Sequence, residues 1–221
     1  MDLRVHPRAK RLTLRLDKIN GRLAVTVPPG CCERDALGFA ERHRDWVRRR
    51  LADLPARVVF ADGVEVPLLG QAHRIRHCPE LRGGVRRSGA ELQVSGAVEH
   101  LPRRVTDFLK AEARREIVPR AKHFAEIVGG DGKARPLRRI TLRDTRSRWG
   151  SCTSRGDLNF SWRLILAPEP VLHYVVAHEA AHLRHLNHSP QFWGLLGELV
   201  TDIDGPTQWL RRNGAQLHRY G

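Results

Sequence analysis

Two short stretches near the start of the chain alternate between apolar and polar residues. Residues 11–16 carry leucine at every second position, which is the period of a strand with one buried face. Residues 23–27 show the same alternation, and Asn20-Gly21 between them is a dipeptide that favours a tight hairpin turn. Pro-Pro-Gly at residues 28–30 ends the second strand. The pattern predicts an antiparallel hairpin.

A helical pattern and further strands follow in the first 100 residues. Apolar residues recur at helical spacing over residues 33–54, and Pro55 ends this pattern. Shorter stretches bounded by glycines predict strands over residues 63–69, 73–76 and 91–94. We therefore expect the first domain, residues 1–100, to be a β-rich region that carries one helix.

The second part of the chain, residues 101–221, is richer in helical patterns. A long helix is predicted over residues 102–128, and Pro119 should kink this helix or divide it in two. A strand is predicted at residues 140–143, and residues 146–166 should form a hairpin next to a later helix. The sequence therefore predicts an α+β fold with a domain boundary near residue 100.

The later helix contains the residues with the most distinctive chemistry. An apolar run over residues 171–177 leads into His178-Glu179-Ala180-Ala181-His182, which is the H-E-x-x-H pattern. On a helix, His178 and His182 share one face, so both rings can bind one zinc ion while Glu179 reaches a metal-bound water. Burying these three polar side chains is costly unless a partner such as a metal compensates them. The pattern therefore predicts a zinc site.

A catalytic zinc usually has three protein ligands and one position for water, so a third ligand is expected. His185 is one candidate, but it lies about 7 Å beyond the midpoint of the two histidines along a regular helix. Glu198 is a second candidate, on the next predicted helix. His188 is the third candidate, and the residues around it favour it over the other two.

His188 is expected at a sharp reversal of the chain. Asn187 can end a helix in the left-handed conformation, and Ser189-Pro190 is typical of the N-cap and first residue of a new helix. A reversal at this point would let the imidazole of His188 fold back on the metal. His188 is therefore the preferred third ligand, and His185 is expected outside the ligand set.

The spacing of these histidines matches the metzincin pattern H-E-x-x-H-x-x-G-x-x-H. Two features contradict membership of that class. His185 occupies the position of the metzincin glycine, and the single methionine is Met1, which cannot supply a Met-turn below the metal. The predicted site is therefore that of a different zinc hydrolase.

The transition state of such a hydrolase needs positive or hydrogen-bonding groups besides the metal. Arg146, Arg148 and the backbone of Gly150 and Ser151 are the candidates, because they belong to the hairpin expected beside the helix. We predict that these four residues bind the substrate.

Composition and charge indicate a class of binding partners, but they indicate no catalytic site besides the predicted zinc site. The chain has 221 residues, a formal net charge of +15 and a pI near 11.1, which favours polyanionic partners such as nucleic acid or nucleotides. Aromatic residues make up 6%, and no tract interleaves them with arginine for stacking on bases. Charge alone is weak evidence for such a partner.

The sequence also predicts a cellular location. The first residues lack the apolar stretch of a signal peptide, and no apolar run has the length of a membrane span. The four cysteines, Cys31, Cys32, Cys78 and Cys152, include no C-x-x-C pair and are typical of reduced thiols. We expect a cytoplasmic protein without a membrane partner.

Three segments together resemble the YgjP-like metallopeptidase family, which is related to the SprT-type and Wss-like zinc metalloproteases. They are R-W-G-S-C at residues 148–152, W-R-L-I-L-A-P at residues 162–168, and H-E-x-x-H-L-x-x-x-N-H-S-x-x-F-W at residues 178–193. The resemblance implies a minimal zincin-like catalytic domain of helices packed on a small sheet. It also implies zinc (Zn2+) at His178, His182 and His188, with Glu179 as the catalytic residue.

The leading functional hypothesis is a zinc-dependent hydrolase, namely a metallopeptidase that binds a polypeptide along an edge strand near residues 146–152. The first alternative is a metal-dependent pyrophosphatase of nucleoside triphosphates such as UTP, an activity that the resemblance also allows. Arg146 and Arg148 would then hold phosphates. The second alternative is a nucleic-acid-associated protein with structural zinc, but structural zinc usually has four protein ligands.

Overall fold

The predicted N-terminal hairpin is present in a computed structural model of the chain, which describes residues 2–17, 21–52 and 56–221. Strand β2 (Thr13–Leu16) pairs antiparallel with β3 (Leu23–Val27), and β1 (Asp2–Val5), which was not predicted, pairs in parallel with the other side of β3. Asn20 of the predicted turn lies outside the described residues.

Two helices follow where the sequence predicted one. Helix α1 (Glu33–Arg42) and helix α2 (Arg44–Ala52) are separated at His43, whose φ of −103° and ψ of 12° depart from helical values. The His43 ring also lies within hydrogen-bonding distance of the Phe39 carbonyl, 2.8 Å away. The prediction of one continuous helix was therefore wrong, and Pro55 lies outside the described residues. These elements belong to a first compact unit, Met1–Ala56.

The second compact unit, Arg57–Gly221, begins with a four-stranded sheet in the order β4-β5-β7-β6. Its strands are β4 (Glu65–Leu68), β5 (Gln71–His77), β6 (Val85–Ser88) and β7 (Glu91–Val94). Three of these strands were predicted, whereas β6 was not, because Val85 is its single apolar residue. The boundary expected near residue 100 falls inside this unit, because the sheet shares one hydrophobic core with the helices that follow.

Helix α3 (Leu101–Gly129) runs through the middle of that core. Its buried side is lined by Leu101, Val105, Leu109, Ala113, Ile117, Ala121, Phe124 and Val128. Pro119 lies inside the helix without dividing it. Near this point the guanidinium of Arg120 donates to the carbonyl of Glu116 over 2.9 Å and to the carboxylate of Glu169 over 2.7 Å. These bonds reinforce the helix where proline removes a backbone donor.

A second, three-stranded sheet lies against α3 and has the order β8-β10-β9. Its strands are β8 (Arg139–Arg143), β9 (Gly150–Cys152) and β10 (Asp157–Ser161). The predicted strand and hairpin are confirmed, since β10 pairs antiparallel with β9 and in parallel with β8. Residues 162–166, predicted as the end of a strand, instead form a buried 3-10 turn that begins at Ser161.

Three helices complete the second unit. They are α4 (Glu169–Ala181), α5 (Pro190–Leu199) and α6 (Asp204–Leu217). The fold is therefore a mixed α+β structure, as predicted. Across the described ranges, none of the helices combines the length and the apolar character that crossing a membrane requires.

One buried arginine connects the C-terminal helix to the three-stranded sheet through hydrogen bonds. Arg163 is 8% exposed and holds Asp144 through two bonds, Nε to Oδ1 at 2.7 Å and Nη2 to Oδ2 at 3.1 Å. It also donates to the carbonyls of Leu217 and Tyr220. Partial burial acts to raise the pKa of Asp144, but the bonds from Arg163 outweigh it and hold the pKa below its ordinary value.

Candidate metal centre

Helix α4 carries the first part of the H-E-x-x-H motif and ends at Ala181, so His182 occupies its C-cap. The prediction that Asn187 ends this helix in a left-handed conformation was wrong, because Leu69 is the one non-glycine residue of the described ranges with a positive φ. Arg135, which is distant in sequence, binds the end of the helix instead. The backbone and guanidinium of Arg135 donate to the Leu183 carbonyl over 2.9 and 3.2 Å.

The structure brings His178, His182 and His188 together. One ring nitrogen from each of these histidines lies within 4.8 Å of the other two. The Nε2 atoms of His178 and His188 are 3.1 Å apart. The three residues therefore form a compact group of nitrogen donors at the end of α4.

The other two candidates for the third ligand lie outside this group. Within the described residues, the group that could hold a metal contains the three histidines and no carboxylate, and Glu198 is exposed on α5. His185 contributes its backbone instead of its ring. Its carbonyl lies 2.8 Å from Nδ1 of His182, and a carbonyl can only accept a hydrogen bond. Nδ1 of His182 must therefore carry the proton, which leaves Nε2 free to bind a metal.

His188 is held by the start of α5. The Ser189 hydroxyl accepts a bond from the Phe192 backbone as the helix N-cap, and Pro190 is the first helical residue, as predicted. The indole of Trp193 donates to the His188 carbonyl over 3.1 Å and stacks on its ring at 5.5 Å. The F-W pair of the motif thus positions His188, and no sequence pattern reveals this role.

A second set of contacts supports His178. The Tyr174 hydroxyl lies 3.5 Å from Nδ1 of His178, one turn earlier on α4, and 3.1 Å from the Thr207 hydroxyl of α6. Thr207 in turn lies 2.8 Å from the Ile203 carbonyl. This row of polar groups faces Nδ1 and leaves Nε2 of His178 directed at His188.

The environment of His178 and His182 favours their neutral imidazoles. Burial, with smaller contributions from the positive charges of His182 and His188, lowers the pKa of His178 to about 4. Burial also lowers the pKa of His182, although its bond to His185 opposes the shift. Neutral imidazoles retain the nitrogen lone pair that a metal requires, so these histidines are prepared for binding near neutral pH.

Glu179 lies beside this group and is 7% exposed. Burial raises the pKa of Glu179 to about 8, and the positive charge of Arg148 opposes the shift. A carboxyl group whose pKa lies near the working pH is suited to accept and return a proton.

Glu179 occupies space that Gly150 leaves open. A Cβ atom at residue 150 would lie 2.4 Å from Cγ and 2.7 Å from Oε1 of Glu179, far below van der Waals contact. The sequence suggested Gly150 for its backbone N–H, whereas the structure shows that its missing side chain makes room for the carboxylate. No local sequence signal reveals this contact, because β9 and α4 meet only in the folded protein.

The other residues predicted to bind substrate, Arg146, Arg148 and Ser151, have different surroundings. Arg148 is exposed and acts electrostatically on Glu179. The Ser151 side chain lies 3.5 Å from the Asn159 amide on the neighbouring strand. Side chains alternate along a strand, so Ser151 faces away from the side on which Gly150 meets Glu179. Arg146 is exposed, and its predicted contact with substrate stays a prediction.

Cys152 is the next residue on the same side of β9 as Gly150. Burial, followed by the charge of Glu179, raises the pKa of the Cys152 thiol to about 11. The thiolate is the nucleophilic form of cysteine, and it is scarce at neutral pH when the pKa is this high. Cys152 is therefore unsuited to covalent catalysis.

One of three comparisons with known proteins identifies a family. The family model described as "YgjP-like, metallopeptidase domain" matches residues 10–213. Comparisons with curated proteins and with solved structures found no match. The matched range includes the three histidines, Glu179 and strand β9.

Proposed function

The chain belongs to the YgjP-like metallopeptidase family, and we propose that it is a zinc-dependent peptidase with a zincin-like catalytic domain. His178, His182 and His188 would hold the metal, and Glu179 would act as general base. The observation that carries this proposal is the convergence of three ring nitrogens within 4.8 Å next to a buried glutamate.

The donor atoms fit a catalytic zinc ion. Two nitrogens bound to one tetrahedral zinc at about 2.0–2.1 Å are about 3.3 Å apart. The Nε2 atoms of His178 and His188 are 3.1 Å apart, close to this spacing. Three nitrogen ligands are the set used by several catalytic zinc sites, and they leave a fourth position for a reactant.

Glu179 and Arg148 would have separate roles in the reaction. When bound, zinc supplies a Lewis acid that polarises the scissile carbonyl and acidifies water. Glu179 would take the proton from the attacking water and pass it to the leaving nitrogen. Arg148, whose charge already acts on Glu179, would favour the negative charge that develops on the carbonyl oxygen.

Strand β9 offers a place for the substrate. It lies at one edge of the sheet order β8-β10-β9, and its first residue touches Glu179. An extended polypeptide can add to such an edge through backbone hydrogen bonds. We propose that the substrate lies along β9, with the backbone of Gly150 and Ser151 and the side chains of Arg146 and Arg148 in contact with it.

The cellular location is also a proposal. The four cysteines are free thiols in the structure, as expected of a protein in a reducing compartment. We infer that the protein works in the cytoplasm.

One assay separates this function from its alternatives. Purified protein is incubated with unfolded casein and, separately, with nucleoside triphosphates, each with and without a zinc chelator. We expect chelator-sensitive cleavage of casein, and loss of that cleavage in Glu179→Gln while zinc content stays unchanged. Cleavage of nucleoside triphosphates without cleavage of casein would indicate a pyrophosphatase instead of a peptidase. Full cleavage of casein by Glu179→Gln would show that Glu179 is not the general base.

A further inference from the structure

The outer face of the three-stranded sheet carries a concave, polar surface that the proposed peptidase does not use. Along β8, Ile140 and Leu142 pack towards the core, so the alternate residues of this strand face outwards. A pocket of about 480 Å³ lies on this face. It is lined by Arg138, Arg139, Thr141, Arg143, Thr153, Arg155, Asp157 and Asn159.

In the part of the chain that the structure describes, the four arginines of this pocket have no acidic partner. Among the residues that the structure describes, none of their guanidinium groups lies within 4.0 Å of a carboxylate, although arginines elsewhere, such as Arg184 with Asp131, do form such pairs. Asp157 is the single acidic residue of the lining. The pocket therefore holds an uncompensated positive charge, which attracts anions.

The positive surface continues beyond this pocket. Arg143 also lines a neighbouring pocket of about 440 Å³, together with Lys110 and Arg114 of α3. Asp144 lies there as well, but its carboxylate is bound to Arg163. The two pockets share Arg143, and we call their basic residues together the basic band: Lys110, Arg114, Arg138, Arg139, Arg143 and Arg155.

The lining of the first pocket indicates the class of ligand. All eight of its residues are charged or polar, so no aromatic or aliphatic side chain is available to hold a base or an apolar peptide side chain. Arginine, threonine and asparagine are side chains that commonly contact phosphate oxygens. A band across two pockets is also longer than one phosphate group requires.

We propose that the basic band binds the phosphate backbone of a nucleic acid without reading its sequence. Phosphate contacts of this kind supply affinity and position, whereas base contacts supply specificity. The arginines of the first pocket lie on the sheet face opposite to the contact between Gly150 and Glu179. This inference is independent of the proposed function, because binding requires neither zinc nor turnover.

The experiment uses fluorescence anisotropy of labelled DNA duplexes of two unrelated sequences, titrated with the full-length protein at several salt concentrations. The test variant is Arg139→Ser/Arg143→Ser. The control variant is Arg211→Ser/Arg212→Ser, which removes the same charge from exposed positions on α6. All four side chains are exposed, so both variants should fold, which circular dichroism checks.

The expected result is binding of both duplexes with equal affinity and a linear fall of log K with log salt. The test variant should lower the magnitude of this slope by about 2, since each lost phosphate contact contributes about 0.9, and should bind at least tenfold more weakly at low salt. The control should stay within about threefold of the unmodified protein. Equal losses in both variants would overturn the proposal, as would the absence of binding or stronger competition by polyglutamate than by unlabelled DNA.

Discussion

Substituting Gly150 by alanine should disable the site without removing the metal. The added Cβ would lie 2.4 Å from Cγ of Glu179, and ordinary contact begins at 3.4 Å, so the side chain must move by about 1.0 Å (3.4 − 2.4). Glu179 is buried and has little room to withdraw. The three histidines are untouched by the change.

The magnitude follows from these distances. A displacement of about 1 Å at a reacting group can cost on the order of 100-fold in rate. Overpacking of this kind also lowers stability by about 1–3 kcal/mol. We therefore expect kcat of Gly150→Ala to fall about 100-fold, while the zinc content per chain stays at that of the unmodified protein.

The assay combines peptide turnover, zinc analysis and urea unfolding on the same preparation. Gly197→Ala is the matched control, because a Cβ at that helical position meets nothing within 4 Å. The control should keep full turnover and gain slightly in stability, as alanine favours helices over glycine. Unchanged turnover in a folded, zinc-loaded Gly150→Ala would refute the inference that Gly150 makes room for the general base.

Three further predictions test other parts of the structure. His188→Ala should lower the zinc content measured by mass spectrometry, whereas Glu198→Ala should leave it unchanged. The opposite result would identify Glu198 instead of His188 as the third ligand. Arg163→Met should lower the free energy of unfolding in urea by about 3 kcal/mol. This value is at the low end of the cost of breaking a buried ion pair, because Asp144 is half-exposed. Since the pKa of Asp144 is lowered in the folded state, this difference should shrink as the pH falls below about 4. Iodoacetamide at pH 8 should alkylate Cys152 on the order of 100-fold more slowly than an ordinary thiol, because its pKa is raised to about 11. Peptide mass mapping distinguishes Cys152 from the exposed Cys32, and rapid labelling of Cys152 in the folded protein would contradict this.

The convergence of the three histidines could be predicted from the sequence because their geometry is local. The 3.6-residue period of a helix places His178 and His182 on one face, and a short connection returns His188 to them. Ser189 and Pro190 begin the next helix as predicted, but the left-handed conformation expected at Asn187 was wrong. Helix α4 ends through bonds from Arg135 to the Leu183 carbonyl, and residues so distant in sequence leave no local pattern that reveals their contact.

Tertiary packing explains the other differences between prediction and structure. Strands β5 and β7 were predicted, but their buried residues Ile75 and Leu92 share a core with Leu109 of α3. Apolar periodicity identifies a buried face without showing which element covers it. The contact between Gly150 and Glu179 was likewise beyond prediction, since it depends on how β9 packs against α4.

The central claim is that one zinc ion, held by three histidines, supports peptide hydrolysis with Glu179 as the general base. The most direct test removes the metal with a chelator, returns zinc in known amounts, and follows cleavage of unfolded casein. The account predicts that cleavage rises linearly up to one zinc per chain, and that Glu179→Gln binds the same amount of zinc without cleaving. Full cleavage by the metal-free protein, or saturation at two or more zinc ions per chain, would contradict it.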